Sequence, residues 1–382
     1  MCLIDFSKAF NRQDHRILVE KLCELGIPGW LLKLVITFLE NRSMKVKYKG
    51  TFSNLFSLPG GGPQGTLLGL LLFLILINDL GFTNQVNNAG DLITAKQRVK
   101  ELNVIHLKYV DDLTLAEGVD MSKLVYKTEN ERPQPDAFRC RTGHELKQSE
   151  SKLLSEIDKV HEYATENGMK INVGKTKFML FNPCKSKDFL PSKTVDGVDI
   201  ELVESSKLLG VNISSSLSWD ENTKLINKKC YEKMWMLKRL KKLGASQDDL
   251  LQVYLKQIRC LAEYAVPVWN SSLTGVNSAK IERIQKSAAH IILGDAYTSY
   301  SKALDTLGLQ RLAHRRKLLC LKFALKCEKD PKFSKWFKLN RKNRVTRQKS
   351  AKYCEVYSHT ERFYRSPIAY LTRLLNEHYL KS

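Results

Sequence analysis

The first 221 residues of this chain mix the two hydrophobic periods that distinguish strands from helices, and the rest keeps almost entirely to the helical one. Cys2-Leu3-Ile4, running into Asp5 and Phe6, suits a buried strand. Ile17, Leu18, Leu22 and Leu25 recur at helical spacing until Gly26 and Pro28 stop the helix, and a second helix is predicted from Trp30 to Leu39. Met44, Val46 and Tyr48 alternate with Lys45, Lys47 and Lys49, the signature of a strand with one wet, cationic face. After the loop Pro59-Gly60-Gly61-Gly62-Pro63, Thr66 is placed to cap the apolar helix behind it. Residues 81–103 and 127–151 carry little periodicity and read as surface insertions. Leu153, Leu154, Ile157, Val160 and Tyr163 mark a further helix, followed by strand-like pieces at Lys170 to Phe181 and Lys207 to Ile213. From about residue 222 the pattern is helical, through Leu225 to Leu243, Leu250 to Val266 and Ile281 to Leu293. No internal repeat is present, and the mixture predicts an α/β or α+β protein with a helical second half.

Composition narrows this picture. With 382 residues and 43% hydrophobic positions, the chain can bury two or three cores of ordinary size. A net charge of +22 points to a polyanionic partner, because basic surface gains affinity by displacing counterions from phosphates. Nucleic acid leads over a membrane: the longest apolar run, Leu67 to Ile77, is interrupted by Gly69 and is too short to span a bilayer, so it reads as a buried core helix. Nine cysteines without paired spacing, and no basic-then-apolar leader, predict free thiols and an intracellular protein, with nucleus and cytoplasm unresolved.

The sharpest chemical signal is Tyr109-Val110-Asp111-Asp112, flanked by strand-forming residues on both sides. Two adjacent acids between short strands suit a hairpin turn, where burying both charges requires a cation. Hard carboxylate oxygens suit Mg²⁺. An ordinary surface turn is the bland alternative. A second pair, Asp248-Asp249, starts a predicted helix, where the helix dipole explains it without any ligand.

Three blocks in order change the balance: Asp5-Phe6-Ser7-Lys8-Ala9-Phe10, Gly62-Pro63-Gln64-Gly65-Thr66, and Tyr109-Val110-Asp111-Asp112. They resemble palm motifs A, B and C of the reverse transcriptase family. Asn167-Gly168-Met169-Lys170-Ile171-Asn172 with Lys175-Thr176-Lys177 resembles motif D, and Lys207-Leu208-Leu209-Gly210-Val211 resembles motif E, the primer grip. Asn78-Asp79-Leu80 and Glu263-Tyr264-Ala265-Val266-Pro267-Val268-Trp269 resemble polymerases of non-LTR retrotransposons in particular.

The resemblance implies a right-hand polymerase palm, an antiparallel sheet backed by helices, over residues 1–126 and 152–221, interrupted by the insertion at 127–151. A helical thumb would occupy 222–275 and a basic helical C-terminal region 276–382. The implied activity is Mg²⁺-dependent RNA-directed DNA synthesis from deoxynucleoside triphosphates, on an RNA template with a DNA primer. By that resemblance Asp5, Asp111 and Asp112 hold two Mg²⁺ ions, with Mn²⁺ as a substitute and the Phe6 carbonyl as a further ligand. Phe10 corresponds to the aromatic steric gate, with a plain core role as the alternative. Gln64 and Gly65 correspond to residues at the incoming nucleotide, Tyr109 to the aromatic that supports the primer end, and Leu209 and Gly210 to the primer grip. Lys175 matches motif D lysines cast as proton donors, although a surface lysine is the plainer reading. Asn11 departs from relatives with a second Asp, at a position that is not a metal ligand. A complete relative has a fingers subdomain before motif A, so the resemblance implies a truncated chain, and the rival reading is a catalytically inactive nucleic-acid-binding remnant.

The basic second half allows further readings. Residues 224–259 carry ten Lys or Arg against three acids, through Lys228, Lys229, Lys233, Lys238, Arg239, Lys241 and Lys242, which suits a helix tracking a phosphate backbone or a merely solvated face. From Arg311 to Lys349 the balance is fifteen to two, with Phe333, Trp336 and Phe337 interleaved; exposed, they form a platform for single-stranded RNA, and buried, they are core. A zinc site among His314, Cys320, Cys327, Cys354 and His359 lacks compact ligand spacing.

Overall fold

The computed structural model describes residues 1–58, 60–80, 104–109, 112–118, 125–126, 144–145, 152–181, 193–340, 351–355, 358 and 360–381. The bulk of the insertions predicted at 81–103 and 127–151 lies outside the described residues, as do Asp111 and Val110. The fold is α+β and divides after Glu204 into two compact units.

In the first unit, a five-stranded sheet is built from β1 (Cys2–Asp5), β2 (Ile105–Tyr109), β3 (Asp112–Ala116), β4 (Lys177–Phe178) and β5 (Glu201–Leu202), in the order β5-β4-β1-β3-β2. Neighbours run antiparallel except β4 and β5, which are parallel. Successive side chains on a strand point to opposite faces. Cys2 and Ile4 therefore share one face with their partners Leu115 and Leu113, and all four are buried. Helices α1 (His15–Glu24), α3 (Leu67–Leu76) and α4 (Lys152–Glu166) supply Leu18, Leu22, Leu72, Phe73, Leu76, Ile157 and Val160 to the same cluster. The helix predicted from Trp30 forms as α2 (Gly29–Leu39), with Val35 and Leu39 buried.

Two expectations change in this unit. Ser43–Met44 and Lys47–Tyr48 form only two-residue strands, and Met44, Val46 and Tyr48 are 47%, 55% and 70% exposed among the described residues. The alternation is present but has no core to face; Lys45 and Lys47 instead lie over the Phe52 ring. The apolar α3 is buried on one face only, since Leu67, Leu71 and Leu74 are exposed while Leu72, Phe73 and Leu76 are not. A helix apolar all round exceeds what a one-sided core can cover.

The second unit opens with a hairpin, β6 (Ser205–Leu208) and β7 (Val211–Ser214), and apart from a single bridge between Leu339 and Tyr353 its other regular elements among the described residues are helices. Its helices include α5 (Asp220–Lys242), α6 (Gln247–Val253), α7 (Gly275–Leu293), α8 (Leu312–Lys329) and α9 (Pro367–Lys381). On α5, Ile226, Cys230, Met234 and Leu237 repeat at three- and four-residue spacing and meet Ile281, Ile284 and Ala288 of α7 in one core. Phe337 is buried there, and Phe333 and Trp336, partly buried, pack against the same cluster, which favours the core reading of these aromatics. Cys320 and Cys327 are buried in it too, and no group of three or more His, Cys, Asp and Glu that could hold a metal ion occurs among the described residues. No helix among them is long and apolar enough to cross a membrane.

Candidate functional site

Strand register brings the sequence-predicted residues together. Asp5 at the end of β1 is the direct partner of Asp112 at the start of β3, and Asp112 is the direct partner of Tyr109 at the end of β2. Direct partners share a face, so Asp5, Asp112 and Tyr109 form a row across three adjacent strands, on the face opposite Ile4 and Leu113. Directly opposed side chains lie roughly 5 Å apart at Cβ, and like charges placed so repel. Only Val110 and Asp111 separate β2 from β3, which places the sequence-predicted Asp111 next to this row in the chain.

The surroundings of Asp5 are made by the motif D-like segment. Phe6 bridges Ile171, with the Ser7 N–H donating to the Lys170 carbonyl at 2.7 Å and the Asn172 N–H donating to the Asp5 carbonyl at 2.8 Å. That bridge does not use the Phe6 carbonyl. Thr176 Oγ1 accepts from the Asp5 N–H at 3.3 Å, a contact the sequence reading missed although it had singled out the block. The Asp5 Oδ2 atom is buried and accepts no hydrogen bond. Lys175 Nζ lies 3.8 Å from it, near enough for an ion pair but beyond hydrogen-bonding distance, and is largely exposed. A shielded, unsaturated carboxylate oxygen beside a second carboxylate fits the donor chemistry of a hard divalent cation.

The motif B-like loop is fastened to the segment after motif A. Phe10 stacks on Phe73 of α3 with ring centroids 4.6 Å apart, and its carbonyl accepts from the Gly62 N–H at 2.7 Å. The Gln13 carbonyl accepts from Gly61, whose own carbonyl takes Arg42 Nη1 at 2.5 Å and His15 Nε2 at 3.0 Å. Gly61 has φ 82°, and a Cβ there would stand 2.9 Å from the Asn11 carbonyl oxygen, so only glycine fits. Thr66 caps α3 as predicted, Oγ1 accepting from the Gly69 N–H at 3.0 Å. Gln64 and Gly65 are exposed beyond this anchored loop, and Phe10 is half-buried, so its contact with Phe73 serves packing as well.

Behind α3, the Asn78-Asp79-Leu80 block has a structural role that spacing alone did not reveal. Lys21 of α1 donates to the Leu76 carbonyl at 2.7 Å and to Asp79 at 2.8 Å, while the Tyr163 hydroxyl of α4 bonds the same two groups. Lys108 of β2 donates to the carbonyls of Ile77, Asn78 and Leu80. Two cations thus sit at the negative end of α3, where unpaired carbonyls collect. Burial pushes the Asp79 carboxyl up, but bonds from Lys21 and Tyr163 outweigh it and hold it below the usual carboxylate range.

Leu209 and Gly210, the primer-grip residues by resemblance, lie in the second unit as the two-residue turn between β6 and β7. Both take positive φ, 46° and 84°, which for a residue with a Cβ costs roughly 1–2 kcal/mol. The Tyr264 hydroxyl donates to the Leu209 carbonyl at 2.7 Å. On α5, Lys224, Lys228, Tyr231, Trp235, Lys238 and Lys242 recur on one exposed helix face, with the Arg239 guanidinium 5.4 Å from the Trp235 ring centroid. Tyr231 and Trp235 are 45% and 63% exposed, so this lysine-rich face carries aromatics open to solvent.

No family model matches the chain. It is 22% identical over 302 residues to a probable RNA-directed DNA polymerase from transposon BS of Drosophila melanogaster, covering 77% of this chain and 29% of that protein. It is 24% identical over 285 residues to the RNA-directed DNA polymerase from mobile element jockey of Drosophila funebris, covering 73% and 27%. These curated relatives are RNA-directed DNA polymerases of a transposon and a mobile element, in line with the resemblance of the motif blocks, and the chain spans less than a third of their length. Among solved structures, telomerase from Candida albicans in complex with a TWJ fragment of telomeric RNA aligns at a TM-score of 0.32 and 12% identity, over 81% of this chain and 49% of that one. That likeness is too slight to place the fold.

Proposed function

We propose that this chain carries the palm and thumb of an RNA-directed DNA polymerase of the non-LTR retrotransposon kind, adding deoxynucleotides to a DNA primer on an RNA template. The observation that carries this reading is the row of Asp5, Asp112 and Tyr109 across three strands, with a buried Asp5 oxygen that accepts no hydrogen bond. Repulsion between opposed carboxylates makes the site a place for cations. Asp5, Asp111, Asp112 and the Phe6 carbonyl would hold two Mg²⁺ ions, or Mn²⁺, which when bound lower the charge barrier to attack by a primer hydroxyl and to departure of pyrophosphate.

The chain's own groups supply position. Tyr109 stands at the end of the row to support the primer terminus, and the anchored Gly61–Gly62 loop sets Gln64 and Gly65 toward an incoming nucleotide. Phe10 closes against a ribose 2′-hydroxyl, its ring fixed by Phe73. Lys175, 3.8 Å from Asp5, holds a proton within reach of the pyrophosphate side. Lysines on the exposed α5 face follow a phosphate backbone without reading its sequence.

That α5 face also favours a second reading, a nucleic-acid-binding chain that does not synthesise. The test is deoxynucleotide incorporation with Mg²⁺ on an RNA template carrying a DNA primer, comparing the chain with its Asp111→Asn, Asp112→Asn variant. Synthesis that disappears in the variant supports the polymerase. Retained primer–template binding with no synthesis in either supports the second reading.

A further inference from the structure

We infer that Tyr264 is a positioning residue that locks the Leu209–Gly210 turn in its left-handed conformation, and that the locked turn aligns a primer end. The second clause rests on the function proposed above; the first does not.

The register Leu208↔Val211 leaves a two-residue turn with positive φ at both positions, 46° and 84°. Turns of this kind favour Asn-Gly, because both central residues must enter the left-handed region. Gly210 meets that demand and Leu209 opposes it. The Leu209 side chain is 42% exposed, so its burial does little to hold the turn. The compensating contact is Tyr264, whose hydroxyl donates to the Leu209 carbonyl at 2.7 Å. Its ring also lies along Gly210, where an added Cβ would stand 3.2 Å from Tyr264 Cε1.

Tyr264 is itself held from both sides. The preceding Glu263 takes Arg315 at 2.5 and 3.0 Å and has Arg259 at 3.7 Å. The Tyr264 carbonyl accepts from the indole N–H of Trp269 at 2.9 Å, and Trp269 is almost fully buried. Ala265 turns the chain at φ 52°, and its carbonyl accepts from Val268. The whole block Glu263 to Trp269 is therefore a rigid bracket whose outward product is one tyrosine hydroxyl on one strained turn.

The test uses the full chain with Tyr264→Phe, Leu209→Asn and the double variant. Asparagine enters the left-handed region far more readily than leucine, so it should replace the lock. Tyr264→Phe should speed amide exchange at residues 207–212 about 5- to 10-fold, the scale of one lost hydrogen bond. It should lower kcat for primer extension by a similar factor while KM for primer–template stays within about twofold, because alignment is lost and backbone contacts are kept. Leu209→Asn should restore the slow exchange in the Tyr264→Phe background. Unchanged exchange in Tyr264→Phe overturns the lock. Faster exchange with unchanged kcat, and an unchanged signal from 2-aminopurine at the primer 3′ end, overturns the primer role. A parent chain that neither extends the primer nor perturbs the 2-aminopurine sinks the proposed function and the primer role together, while the exchange comparison still decides the lock.

Discussion

Two pairs of aspartates in this protein face opposite situations. Asp248 and Asp249 stand in the first turn of α6, where Ser246 Oγ accepts from the Asp249 N–H at 3.1 Å and donates to its carboxylate at 2.7 Å. The helix N-terminus welcomes both charges, and nothing further is needed. Asp5 and Asp112 oppose each other across β1 and β3, and a buried Asp5 oxygen accepts no hydrogen bond. The same side chain is a local stabiliser in one place and, in the other, one of two opposed acids whose buried oxygen has the Lys175 ammonium 3.8 Å away. What separates them is the direction of the neighbouring backbone dipoles and the register of a sheet.

The widest gap should appear in synthesis. Asp5→Asn or Asp112→Asn should reduce Mg²⁺-dependent primer extension at least about 100-fold, as expected for loss of a metal ligand, whereas Asp248→Asn with Asp249→Asn should change it less than about twofold. Equal losses at both pairs would erase the distinction. Next in size is metal linkage. Mn²⁺ at about 100 times its dissociation constant should stabilise the parent chain by roughly 2–3 kcal/mol in thermal unfolding, and should leave Asp5→Asn nearly unmoved.

Smaller and more telling is a difference of sign without metal. Asp5→Asn should leave stability unchanged or raise it by up to about 1 kcal/mol, since opposed like charges repel. Asp249→Asn should lower it by about 0.3–1 kcal/mol, and Ser246→Ala by about 1 kcal/mol. Urea midpoints read all three, and a loss of stability in Asp5→Asn would show that Asp5 is held by protein contacts after all. Least in size is the edge of the sheet at His106, 3.2 Å from Glu156. Burial pushes the His106 imidazole below its ordinary 6.5, and Glu156 only partly opposes this. The unfolded chain then binds more protons than the folded one just below pH 6.5, so stability should rise with pH across that window and His106→Gln should flatten the slope. An NMR titration midpoint at or above 6.5 would reverse the sign.

Local pattern carried much of the fold. The strand at Cys2, the helices around Leu18, Val35 and Ile157, the Thr66 cap and the long helices after residue 222 all follow from period and capping chemistry, which depend on near neighbours alone. The same rules misjudged Met44 to Lys49 and one face of α3, because alternation and apolarity say which side chains could be buried and not whether a core exists to receive them. The aromatics at 333–337 turned inward and Tyr231 and Trp235 outward for the same reason.

For the candidate site, the sequence by itself determined which residue types are present: Asp5, Asp112, Lys175, Gln64 and Tyr264 each stand in a block legible without coordinates. Only the tertiary structure decided which of them meet. Residues more than a hundred positions apart, Asp5 with Asp112 and Lys175, become neighbours through strand register, and Tyr264 reaches Leu209 through the packing of the second unit. Such pairings are set by loop closure and burial summed over the whole chain, and no local period records them.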